Sequence, residues 1–98
     1  MKTVQLTPKA SKDLEAIWLY GYQHFGESQA DNYIGHLSEI FDILSIHSIG
    51  TPRPELGELI YALPFESHII YFLQTDRDII VIRILSQSQD AARHLRWS

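Results

Sequence analysis

Cysteine is absent from the 98 residues, which excludes a disulfide framework and any thiolate metal site. No apolar run approaches the roughly 20 residues of a membrane helix, and Met1 to Leu6 carries no secretory hydrophobic segment. These absences predict a single cytoplasmic, soluble domain over residues 1–98. The five glycines are too dispersed for a phosphate-cradling loop. There is no His-Glu-x-x-His. The histidines at 24, 36, 47, 68 and 94 do not fall at ligand spacing with carboxylates, so no metal and no cofactor is expected. Ser86-Gln87-Ser88-Gln89-Asp90 offers hydroxyls without a glycine elbow, which reads as a polar loop capping a last helix.

Positive charge is missing from one long stretch. Lys2, Lys9 and Lys12 open the chain, but no Lys or Arg stands between Asp13 and Pro52, where Asp13, Glu15, Glu27, Asp31, Glu39 and Asp42 lie. A protein built to grip nucleic acid carries a basic face, because phosphate contacts supply much of the affinity. Here such a face is confined to the C-terminal part, and no direct sequence-specific nucleic-acid binding is expected. The net charge is −4.

What is present is ordinary globular material, 45% hydrophobic and 20% charged. Val4 and Leu6 share one side of a short edge strand. Thr7-Pro8 reads as an N-cap followed by proline in the first turn. Ala10, Leu14, Ile17, Trp18, Gly21 and Phe25 form one helical stripe to about His24, and Gly26 stops it. A second helix from about Glu27 buries Ala30, Tyr33, Ile34, Leu37, Ile40, Phe41 and Leu44. Gly50 to Pro54 reads as a loop, and Glu58 to Leu63 as a strand ending at Pro64. Ser67–Thr75 and Asp78–Leu85 are β-branched and aromatic runs joined by Asp76-Arg77, a central hairpin covered on much of both faces. The fold class is therefore α+β: an N-terminal strand and an antiparallel helix hairpin on one face of a small antiparallel sheet. Asp90 to Trp97 is a short terminal helix. The tail Arg93-His94-Leu95-Arg96-Trp97 lies where truncation should cost little core burial, and it reads either as an interaction element or as inert fray.

The ordered set of local motifs resembles the ParE toxins of the RelE/ParE superfamily, from type II toxin–antitoxin systems. It runs through Leu6-Thr7-Pro8-Lys9-Ala10, Asp13-Leu14, Ile17-Trp18, Phe25-Gly26, Gln29-Ala30 and Tyr33. It continues with Leu37, Phe41, Leu44, Gly50 to Arg53, Glu55-Leu56, Leu63-Pro64, His68 to Tyr71, Ile82 to Leu85, and Asp90 with Arg93-His94-Leu95. Departures are Ser86, Gln89, Tyr61 and Ser48, where the pattern often has His, Met, Arg and Pro.

The resemblance implies a growth-inhibiting toxin, not an enzyme, that poisons DNA gyrase and blocks replication. It also implies a cognate antitoxin, whose C-terminal segment wraps the toxin in a hetero-oligomer and neutralises it. Arg83, Arg93, Arg96 and Trp97 are the candidate target contacts. Tyr61, Leu63, Phe65, Tyr71 and Phe72 are the candidate antitoxin groove, beside an exposed strand edge. The alternatives are a ribosome-dependent mRNA endonuclease of RelE type and a toxin-fold protein of weak or lost toxicity. A metal-free nuclease needs a cationic cluster at the scissile phosphate, and the acidic helix hairpin opposes one.

Overall fold

The computed structural model describes residues 1–89 and 91–95. Thr7 caps α1 (Pro8–Phe25) by accepting the Ala10 N–H at 3.1 Å through its hydroxyl. Gly26 alone separates α1 from α2 (Glu27–Ile46); its φ of 97° and ψ of 170° fall where only glycine sits without strain. The helices pack so closely that a methyl group on Gly21 would touch Ala30 at 3.4 Å. The predicted apolar stripe is not buried to its end: Phe25 is 64% exposed. Trp18 lies half-buried at the helix–helix seam, donating its indole N–H to Asp31 at 2.8 Å and stacking on Tyr22.

Five strands form one sheet in the order β1-β5-β4-β3-β2. They are β1 (Thr3–Leu6), β2 (Thr51–Pro52), β3 (Ile60–Phe65), β4 (His68–Gln74) and β5 (Asp78–Ser86). Strands β2 to β5 pair antiparallel, as expected for the sheet. β1 joins parallel to β5, Thr3 opposite Asp78 and Leu6 opposite Val81, so the sheet is mixed. Alternation of side chains fixes which face β1 buries but carries no information on its direction.

β3 runs through Pro64 instead of ending before it. Arg53 N–H donates to Ile60 O, and Gln74 N–H to Leu59 O. Even-numbered residues of β3 therefore turn their backbone to the outer edge and odd ones to β4. The missing Pro64 N–H faces outward, where it interrupts no ladder bond. The segment predicted as loop also holds structure: Thr51 and Pro52 pair with Ala62 and Tyr61, and a 3-10 turn follows at Pro54–Leu56.

The helices cover one face of the sheet, chiefly over β1 and β5. Their core joins Ala10, Leu37 and Leu44 to Ile70, Phe72, Ile79, Val81 and Ile84. A smaller core fills the opposite face, where α3 (Ala91–His94) and the following Leu95 lie on Ile60, Ala62, Tyr71, Ile82 and Leu85. Leu95 is 6% exposed. Truncation before it would thus strip part of this second core, contrary to the expectation that the tail is cheap to remove.

Candidate functional site

β1 ends at Leu6 while β5 continues to Ser86, so the outer edge of β5 needs partners for its backbone. The N-terminal part of α1 supplies them. Thr7 N–H donates to Val81 O at 3.0 Å and the Thr7 hydroxyl to Ile82 O at 2.9 Å. Ile84 N–H donates to the Asp13 carboxylate at 2.9 Å. A β-bulge lies here, since Tyr71 faces Arg83 and the next residue, Phe72, faces Val81.

Ile82 is the extra residue of the bulge, and Arg83 stands beside it. Its Nε and Nη2 grip the two oxygens of Asp13 at 2.8 and 3.0 Å, and Nη1 donates to His94 O at 3.1 Å. The Asp13 carboxylate raises the Arg83 pKa further above its ordinary value. One guanidinium thus ties helix hairpin, central sheet and terminal helix together. Of the other candidate target contacts, Arg93 is exposed on α3. Arg96 and Trp97 lie outside the described residues, as does Asp90.

The candidate antitoxin groove divides by burial. Tyr71 and Phe72 are 3% and 0% exposed and serve as core on opposite faces. Tyr61, Leu63 and Phe65 are half-buried and lie together on the helix-covered face, at the side of β3 that the helices reach least. Tyr61 stacks on Phe72 at 5.7 Å, and Phe65 meets Tyr33 edge-on at 5.4 Å. These three side chains form a partly exposed apolar shelf.

Two strand edges are open. Beyond its pairing with β2, the outer edge of β3 presents Pro64, a carbonyl with no N–H, which is a poor template for another strand. On β1, Thr3 N–H and the following Thr7 N–H point to Arg77 O and Val81 O. The alternation leaves both backbone groups of Val4 and Leu6 on the free side.

Sequence reasoning missed one cluster. Tyr33 Oη lies 2.6 Å from His68 Nδ1, with Ser67 Oγ at 3.3 Å. In the tautomer with its proton on Nε2, His68 Nδ1 accepts, and the shorter contact makes Tyr33 its main donor. Burial lowers the His68 pKa and raises that of Tyr33. Two connected hollows adjoin this cluster. One is lined by α1, α2 and His68, the other by α1, His68 and the Ser86–Gln89 region, and neither lining contains Lys or Arg. The 35-residue separation of Tyr33 from His68 leaves no periodic signal; only the polar His at the head of an apolar strand hinted at it. Among the described residues, no group of three or more His, Asp or Glu could hold a metal ion, and no helix is long and apolar enough to cross a membrane.

A helix hairpin laid over a five-stranded mixed sheet, with its last strand clamped to the first helix, defines a single α+β fold. A chain in a solved structure described as the chromosomal ParDE TA system from P. aeruginosa has the same fold: TM-score 0.73, 24% identity, covering 88% of this chain and 96% of that one. The family described as ParE toxin of type II toxin-antitoxin system, parDE, matches residues 4–91. Toxin ParE1 of Caulobacter vibrioides is 31% identical over 96 residues, 97% of this chain and 99% of its own length. Toxin ParE1 of Mycobacterium tuberculosis (strain H37Rv) is 32% identical over 92 residues, 92% of this chain and 94% of its own. The chain belongs to the ParE toxin family.

Proposed function

We propose that this chain is a cytoplasmic growth-inhibiting toxin that binds DNA gyrase, blocks replication and is held inactive by a cognate antitoxin in a hetero-oligomer. The observation that carries the reading is membership of the ParE toxin family across residues 4–91. The geometry of Arg83 supports binding over catalysis. Two of its donors are taken by Asp13 and a third by a backbone carbonyl, so it is poorly placed to stabilise charge at a scissile phosphate. Arg93, with Arg96 and Trp97, is the target contact in this reading, and Arg83 holds the terminal helix that carries Arg93. The antitoxin lies over Tyr61, Leu63 and Phe65 and takes main-chain pairing from an exposed strand edge.

Two assays on the purified protein test the reading: gyrase supercoiling, and mRNA cleavage in a translating ribosome extract. Inhibited supercoiling with intact mRNA is the expected result. Ribosome-dependent cuts that vanish in Arg83→Ala would overturn it in favour of an endonuclease. Saturating antitoxin should raise the melting temperature of the toxin by mass action. An unchanged melt would remove the antitoxin from the reading.

A further inference from the structure

The hollow near the turn of the helix hairpin measures about 180 Å3 and is lined in part by Ile17, Tyr20, Phe25, Ala30, Tyr33 and His68. Three of its polar side chains, Tyr33, Ser67 and His68, are engaged with one another, so they make little demand for a polar guest. Two of its walls, Tyr20 and Phe25, are more than half exposed. The surroundings are anionic. Glu27 follows directly on the Phe25-Gly26 turn, Glu66 is close enough to act electrostatically on Tyr33, and no Lys or Arg occurs from 13 to 52. One stacked pair at its wall, Tyr20 on His24, offers a ring face of the kind that attracts cations. The hollow also continues the apolar shelf, because Tyr33 touches Phe65 at the shelf's end.

We propose that this hollow seats one bulky apolar side chain carried on a lysine- or arginine-rich segment of the antitoxin, which reaches it from the β3 shelf. The inference rests on the toxin–antitoxin reading above and adds the chemistry of the partner. The apolar anchor fills the space between Tyr20, Phe25 and Tyr33. Flanking cations meet Glu27, Glu66 and the aromatic face. A segment of this kind gains affinity from anchor burial and association rate from charge.

The test measures binding of the intact cognate antitoxin to wild-type toxin and to three variants. Gln29→Trp puts a ring into the hollow from the exposed first turn of α2. Tyr20→Ala removes an exposed wall and serves if the first variant folds poorly. Glu27→Gln with Glu66→Gln neutralises the rim. Gln29→Trp or Tyr20→Ala should weaken binding by about tenfold or more, the scale of a buried anchor. The neutralised rim should flatten the loss of affinity with added salt. Wild-type affinity in Gln29→Trp and Tyr20→Ala, or an unchanged salt dependence in the double neutralisation, would overturn the proposal and leave the antitoxin reading standing. Failure of wild-type toxin to bind the antitoxin at all would overturn both.

Discussion

Replacing Asp13 with alanine tests how the fold is held. The substitution removes three hydrogen bonds to one carboxylate, two from Arg83 and one from the Ile84 backbone. It leaves a guanidinium with a single carbonyl partner and an unpaired strand N–H. The side chains of Arg83 and Asp13 are 17% and 15% exposed, so water reaches the site only in part. Breaking a fully buried pair costs roughly 3–5 kcal/mol, and partial rehydration here brings the expected loss to about 2–4 kcal/mol. For a chain of this size that is a large share of a total of roughly 5–15 kcal/mol. It corresponds to a melting temperature lower by roughly 10–25 °C. Urea unfolding followed by circular dichroism reads the loss directly. A double-mutant cycle with Arg83→Ala should give a coupling energy of at least about 1 kcal/mol. A loss below about 1 kcal/mol in Asp13→Ala, or additive single variants, would refute the claim that this clamp joins hairpin to sheet.

Gly50→Ala places a methyl group 2.8 Å from Cζ of the fully buried Phe72, at a φ of 102°, so strain and overpacking together should cost about 2–4 kcal/mol; a variant with wild-type urea midpoint would refute this. His68 should make the fold acid-sensitive. Its folded pKa lies below the unfolded value of 6.5 because burial disfavours the imidazolium. As pH falls below 6.5 the unfolded chain takes up a proton that the folded chain refuses, and stability declines by at most about 1.4 kcal/mol per pH unit until the lowered folded pKa is passed. The melting temperature of wild type minus that of His68→Gln, followed from neutral to mildly acid pH, should fall through this window; a flat difference would refute it.

Locally encoded features could be read from the sequence without the structure. Thr7-Pro8 starts α1 and Gly26 ends it because capping and positive φ are properties of single residues. The β4–β5 hairpin was legible because its residue types and its two-residue turn agree. What escaped depends on partners distant in sequence. Arg83 stands out as a charge in an apolar run, but Asp13 is 70 residues away and nothing local links them. Pro64 marked a boundary by rule, and only its place on the outer edge of β3 explains why the strand passes through it. Phe25 fits the helical stripe, yet it is 64% exposed, because periodicity alone cannot report which stripe positions find a partner. Tyr71 and Phe72 read as groove residues by their aromatic character, and β4's central position buries both.

The parallel pairing of the first strand with the last gives the toxin a timetable. β1 cannot dock until residues 78–81 exist, and Asp13 has no Arg83 to hold until still later. At roughly 5–20 residues per second, about 4–15 s of synthesis separate Thr3 from Asp78. Through that interval the helix hairpin has no completed sheet to cover, and its apolar stripe has no permanent partner. A chain interrupted before β5 lacks the strand that both helices and β1 require. An abandoned translation product therefore lacks the sheet, the Asp13–Arg83 clamp and the second core that complete the fold.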